Sequence, residues 1–137
     1  MESERRDGLT SLPRLVRFAE EAVRRAARIG DTIRERSAAG RRIAVYGAAA
    51  KGVVLLSAAG LGAAEIAYAV DKNPHKQGLL MPGSGLGVRP PEALLSDPVD
   101  DVLVLPWNLR EEITAQLGPV RAGGARLILP LPELEVL

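Results

Sequence analysis

A short apolar run that ends in a glycine turn is the feature that most constrains how this chain can fold. Residues 43–46 read Ile-Ala-Val-Tyr, which has the length and composition typical of a buried strand. Gly47 follows, and glycine accepts the backbone angles that a tight turn requires. Three alanines come next, so a ligand can approach the backbone closely. The pattern predicts a strand that turns directly into a helix.

The same turn predicts an anion-binding position. A helix that starts there directs its free amide groups and its positive dipole end at whatever lies over the turn, as in phosphate sites. The glycine spacing departs from the dinucleotide fingerprint, because Ala49 occupies the position of its middle glycine. It also departs from the phosphate-loop signature, because Gly52 rather than Ser or Thr follows Lys51. A nucleotide-type ligand and simple close packing of the helix on the strand both remain open.

The remainder of the chain alternates between strands and helices. Further strands are predicted at residues 65–70, 101–105 and 125–129, with a short one near residue 88, and helices at residues 49–59, 91–95 and 109–120. Continuously apolar strands separated by helices indicate a parallel sheet that is covered on both faces. We therefore predict an α/β fold, a small Rossmann-like domain of four or five strands over residues 41–137.

A long amphipathic helix is predicted ahead of this domain, at residues 12–37, because its apolar residues recur at spacings of three and four. Ser11 is its expected N-cap, and Gly30 is a point where it is expected to break. Residues 1–11 are expected to be loose and polar. Residues 1–40 thus form a helical extension.

Composition narrows the function classes. The net charge of +1 argues against nucleic acid or an anionic membrane as the main partner. The chain has no cysteine and one histidine, so thiolate metal sites are excluded and a zinc site is not expected. The first residues lack the apolar core of a signal peptide, and no apolar run reaches the ~20 residues of a membrane span. A cytoplasmic location is expected.

Three segments should meet at the carboxyl edge of the sheet, where ligands of such folds bind. They are residues 47–52, 71–78 and 106–108. A carboxylate that ends the second strand, as Asp71 does, is placed to bond a ribose diol. The candidate binding residues are Gly47, Ala48, Ala49, Lys51, Gly52, Asp71, Asn73, His75, Lys76, Trp107 and Asn108. The sequence contains no recognisable catalytic set.

Several of these side chains have an ordinary structural explanation as well. A cation in the first helical turn opposes the helix dipole, so Lys51 either indicates a nearby anion or is a surface lysine. His75 lies in a turn, where a lone histidine is more often solvated than catalytic. Lys72 and Lys76 either bracket a phosphate or serve solubility. Trp107 is a stacking surface, an interface anchor or a plug over the sheet.

The motifs together resemble the C-terminal domain of S-adenosylmethionine-dependent sugar C-methyltransferases. The resemblance is carried, in order, by residues 46–52 (YGAAAKG), 70–78 (VDKNPHKQG), 82–83 (PG), 105–108 (LPWN) and 130–133 (PLPE). It implies that this domain holds a nucleotide-linked sugar, typically a dTDP-linked keto sugar of deoxysugar biosynthesis. It also implies an N-terminal zinc-binding region with cysteines and a central methyltransferase domain, and neither is present in this chain.

By that resemblance the chain binds substrate as part of a transferase but is not expected to catalyse alone. It is expected to bind no cofactor, since S-adenosylmethionine and zinc are implied only for the missing domains. A catalytic methyltransferase domain in cis or in trans is the implied partner. A second copy of the chain, paired through the helix at residues 12–37, is a further expected partner. Two alternatives stay open, namely a stand-alone NAD-type dinucleotide-binding protein and a protein assembly module.

Overall fold

The computed structural model describes the backbone of residues 2–131 and 133–137 and the side chains of residues 12–131 and 133–137. In these ranges six strands form one sheet in the order β3-β2-β1-β4-β5-β6, parallel except for the antiparallel edge strand β6. The strands are β1 Ile43–Tyr46, β2 Tyr68–Val70, β3 Val88–Arg89, β4 Asp101–Val104, β5 Arg126–Leu129 and β6 Glu135–Val136. The sheet confirms the predicted Rossmann-like α/β class, with one more strand than expected.

Helices cover both faces of the sheet. The described helices are α1 Glu2–Ala38, α2 Ala50–Ala59, α3 Ala93–Ser96, α4 Arg110–Gln116 and α5 Gly118–Ala122. Side chains alternate along β1, so Ile43 and Val45 enter the core beneath α1 and α2. Ala44 and Tyr46 enter the core beneath α3, α4 and α5. In the described ranges, the helices lack the length of apolar sequence that crossing a bilayer requires.

The N-terminal helix differs from its prediction in two ways. It begins at Glu2, so Ser11 is not its N-cap, and it continues past Pro13 and Gly30 without a break. Gly30 is a packing position, because a Cβ there would lie 2.7 Å from the carbonyl oxygen of Ala59 at the end of α2. The buried stripe of α1 consists of Phe18, Ala22, Ala26, Ile29 and Ile33. Through this stripe α1 shares a core with the sheet.

Two other elements are shorter or more divided than predicted. The helix expected at residues 109–120 splits into α4 and α5, since Pro119 lacks the N–H that a continuous helix needs there. A 3-10 turn, Trp107–Leu109, precedes α4, and Asn108 makes no capping hydrogen bond. The second strand is only Tyr68–Val70. Of the quoted PLPE motif, Pro132 lies outside the described residues.

A buried ion cluster fixes the C-terminal end of α1 to the start of β4. Asp101 is fully buried, and both of its carboxylate oxygens accept hydrogen bonds from Arg36 at 2.7 Å. Arg41 donates to the same two oxygens at 2.9 and 2.8 Å. Burial acts to raise the pKa of Asp101, but the bonds and charges of the two arginines outweigh it, so the pKa is lowered. The carboxylate therefore stays ionised inside the fold.

Replacing this carboxylate should destabilise the fold. Asp101→Asn leaves two arginines without their counter-charge, and we expect the free energy of unfolding to fall by about 3 kcal/mol in urea denaturation at pH 7. Because the folded pKa is depressed, the stabilisation is complete above the unfolded pKa of ~3.9 and is lost as the pH falls through the folded value. Asp31→Asn is the control, since Asp31 pairs with Arg34 but its side chain is 70% exposed. If the free energy of unfolding falls no further in Asp101→Asn than in this control, the buried ion cluster does not stabilise the fold as we describe.

A side chain at Gly52 should destabilise the fold. A Cβ at Gly52 would lie 2.4 Å from Leu105 Cδ1 and 3.3 Å from Met81 Cε, and both neighbours are buried. We expect Gly52→Ala to lower the free energy of unfolding by about 1–3 kcal/mol, through overpacking where α2 meets β4. In Gly118→Ala the new Cβ meets no atom within 4 Å, so its effect should stay within about 1 kcal/mol. Thermal and urea unfolding of both variants would measure the difference, and equal losses would refute this account.

Candidate functional site

The carboxyl edge of the sheet opens into a cavity at the point where the strand order reverses. After β1 the chain continues on the face covered by α1 and α2, whereas after β4 it crosses to the other face. Such a switch point is where open α/β sheets bind ligands. The cavity has a volume of about 230 Å³, and we call it the strand-end cleft. Its lining residues are Tyr46, Gly47, Ala49, Lys51, Gly52, Asp71, Lys72, Leu105, Pro106 and Asn108.

The structure thus brings together residues from all three segments singled out in the sequence. Six candidate residues line the strand-end cleft, namely Gly47, Ala49, Lys51, Gly52, Asp71 and Asn108. Ala48 is buried and does not line it. Asn73 and His75 belong to an exposed turn in which Asn73 Oδ1 accepts the His75 N–H at 3.0 Å. Neither of these two side chains lines the cleft.

Asp71 and Lys76 hold the backbone of the turn between β1 and α2. The Ala48 N–H donates to Asp71 Oδ2 at 2.8 Å, and Lys76 Nζ donates to the Ala48 carbonyl at 3.3 Å. The other carboxylate oxygen of Asp71 accepts the Asn73 N–H at 2.8 Å. Gly47 has a φ of 102° and donates to the Val70 carbonyl at 2.8 Å. Asp71 therefore holds this turn in place through hydrogen bonds to its backbone. Its contact with a ribose stays a prediction.

The first turn of α2 is positively polarised at the cleft. Ala49 is the N-cap and makes no side-chain capping bond, and the first turn contains no acidic residue. The first amides with helical partners are those of Gly52 and Val53, which donate to the Ala49 carbonyl at 2.9 and 3.2 Å. The amides of Ala50 and Lys51 precede them at the open helix end. Together with the Lys51 ammonium, this end is suited to an anion.

Trp107 packs on the N-terminal helix. Its ring stacks on that of Phe18, with the centroids 4.8 Å apart and the planes at 18°. Lys51 Nζ lies 5.9 Å from each of the two ring centroids. Trp107 is only partly exposed and does not line the strand-end cleft, which agrees with a plug over the edge of the sheet. Phe18 brings α1 to the same edge, a contact that no local pattern indicates.

A second cavity of about 580 Å³ adjoins the strand-end cleft on the sheet face that α3, α4 and α5 cover. We call it the edge cavity. Its lining residues are Tyr46, Lys72, Gln77, Pro90, Pro91, Glu92, Leu95, Gln116, Leu117, Pro119 and Val120. Sequence reasoning missed it, because its walls come from four separate segments. The Pro90-Pro91 pair directly after β3 was the available signal, since it also follows the carboxyl end of a strand.

Tyr46 lies between the two cavities and lines both. Its hydroxyl donates to Gln116 Oε1 at 3.0 Å. Burial raises the pKa of Tyr46, and the carboxylates of Asp71 and Glu112 add to this effect. The phenol is therefore protonated at neutral pH and acts as a donor. Lys72 is the other residue that the cavities share.

Among the described side chains, those of residues 12–131 and 133–137, no three His, Asp or Glu groups come together as a metal site would require. The carboxyl edge instead combines a polarised helix end, lysines and amide side chains. Such a set can hold and orient an anion.

Comparisons with known proteins show which proteins this chain is similar to. The C-methyltransferase NovU of Streptomyces niveus is 36% identical over 134 residues, which cover 98% of this chain and 32% of that protein. The chain therefore spans about a third of the length of this relative. The crystal structure of UDP-D-quinovosamine 4-dehydrogenase from Vibrio fischeri is similar with a TM-score of 0.50 at 15% identity, over 71% of this chain and 93% of that one. At this identity the similarity concerns the Rossmann-like fold alone.

The family comparison covers nearly the whole chain. The family model described as the C-methyltransferase C-terminal domain matches residues 1–132, which include all three segments at the carboxyl edge. The chain belongs to the family of C-methyltransferase C-terminal domains.

Proposed function

We propose that this chain is the nucleotide-sugar-binding part of a sugar C-methyltransferase and that it holds the substrate diphosphate in the strand-end cleft. The observation that carries the proposal is the first turn of α2, which has no side-chain cap and no acidic residue and which bears Lys51 at the cleft. A dTDP-linked sugar is the substrate class that we assign. The family and the relative NovU support a role in C-methylation.

The charges around the cleft favour a diphosphate. The three lysines of the chain, at positions 51, 72 and 76, all belong to the segments at this edge. Lys51 and Lys72 line the cleft, and Lys76 contacts the turn beneath it. Asp71 is the one acidic residue in the lining, and its two oxygens each accept a backbone N–H. These bonds offset part of its repulsion toward a bound phosphate.

We assign the chemistry to a catalytic methyltransferase domain that acts with this chain in cis or in trans. S-adenosylmethionine and zinc belong to that part of the enzyme in our proposal. The described residues of this chain offer no cluster that would hold a metal. A second copy of the chain is a separate predicted partner, since Leu12, Val16 and Val23 on α1 are exposed. Sedimentation equilibrium would detect that dimer.

Removing the Lys51 charge should weaken nucleotide binding. Isothermal titration calorimetry with dTDP and a dTDP-sugar should show binding, and Lys51→Met should weaken it about tenfold, because one charge-assisted contact contributes ~1.5–3 kcal/mol. Methionine keeps the apolar length of the lysine stem beside Phe18 and Trp107. Arg126→Met is the matched control, since Arg126 is exposed at the start of β5, at the opposite edge of the sheet.

Two results would contradict the proposal. If Lys51→Met and the unaltered chain have equal affinities for dTDP, the diphosphate does not bind in the strand-end cleft. Tight binding of S-adenosylmethionine with methyl transfer by this chain alone would place the chemistry here rather than in another domain. NAD, titrated in the same series, tests the alternative of a dinucleotide-binding protein, which predicts tighter binding of NAD than of dTDP.

A further inference from the structure

The strand-end cleft is too small for a whole nucleotide sugar. Its volume of about 230 Å³ lies below the ~300–1,000 Å³ of typical ligand pockets. The edge cavity, at about 580 Å³, falls inside that range. The two cavities share Tyr46 and Lys72 as walls. A ligand whose diphosphate occupies the first therefore has room for its remainder in the second.

The walls of the edge cavity suit a flat, partly polar ring. Pro90, Pro91 and Pro119 offer apolar ring faces, beside the aliphatic side chains of Leu95 and Val120. A planar base that packs against such surfaces removes its apolar faces from water. A hexose carries hydroxyls all round its ring and matches these walls less well, because each buried hydroxyl needs a hydrogen-bond partner.

Oriented polar groups complete the cavity. Gln77 Nε2 donates to the Asp71 carbonyl at 2.8 Å, and Gln116 Oε1 accepts the Tyr46 hydroxyl at 3.0 Å. These bonds fix the directions of two amide groups that each carry both donors and an acceptor. Glu92 adds a carboxylate acceptor to the lining. A pyrimidine edge presents the complementary pattern of carbonyl oxygens and a ring N–H.

We propose that the edge cavity binds the nucleobase and ribose of the nucleotide whose diphosphate lies in the strand-end cleft. This inference rests on the proposed function. The division also fits the chemistry, because the sugar that reacts must reach catalytic groups outside this chain. The nucleoside does not react, so it can stay on the lining that this chain supplies to the edge cavity.

Chemical-shift mapping on the 15N-labelled chain tests whether the nucleoside and the diphosphate bind in these two separate cavities. Thymidine should perturb amides at residues 92–95 and 116–120, inorganic pyrophosphate should perturb residues 49–52, and dTDP should perturb both sets. Shifts from dTDP that are confined to residues 47–52 would overturn the inference and leave the proposed function standing. The absence of any dTDP binding at millimolar concentration would overturn both.

A bulky side chain in the edge cavity provides the second test. Leu95 is 57% exposed, so Leu95→Trp should fold. The variant should bind dTDP and thymidine at least tenfold more weakly, while its affinity for pyrophosphate should be unchanged. Val23→Trp is the control, since Val23 is 67% exposed on α1 and should leave all three affinities unchanged. Glu92→Ala repeats the test at another exposed residue of the lining, and we expect a several-fold loss of affinity for dTDP. Unchanged affinity of both variants for dTDP would refute the nucleoside site.

Discussion

The buried carboxylate of Asp101, held by Arg36 and Arg41, is the interaction on which the arrangement of this domain depends. It fixes one end of α1 at the amino edge of the sheet. Phe18, eighteen residues earlier on the same rigid helix, lies ~27 Å away along its axis. At that distance it meets Trp107 at the carboxyl edge. One ion cluster and one aromatic contact thus position α1 along the whole length of the sheet, beside α2 and its lysine.

The carboxyl edge, where we propose that the nucleotide binds, is fixed by backbone groups as much as by side chains. The peptide groups of Ala48 are held on one side by Asp71 and on the other by Lys76. A turn that is held in this way keeps the first amides of α2 at the cleft before a ligand arrives. Preorganisation of this kind lowers the entropic cost of binding. It also explains how a chain with an imperfect glycine signature can present the anion site that we propose.

Local features of this structure were predictable from the sequence, and contacts between distant residues were not. The strand at Ile43–Tyr46, its turn and the end of α2 follow from neighbouring residues, and Gly60 closes that helix at a φ of 68°. The early start of α1 was missed, because its first residues carry no apolar stripe, although extending an existing helix costs little. The strand Glu135–Val136 is too short to show a pattern. The edge cavity and the Phe18–Trp107 stack join segments that are far apart in the sequence.

A crystal structure of the chain with dTDP is the most direct test of the claim that the carboxyl edge binds the nucleotide. The account predicts the diphosphate over the first turn of α2, within hydrogen-bond distance of the Ala50 and Lys51 amides, and the base between Pro91 and Gln116. An anion site elsewhere would contradict it. The arginine-lined groove of Arg24, Arg25 and Arg28 beside Glu133 is the obvious competitor, and a diphosphate bound there with the strand-end cleft empty would refute the central claim.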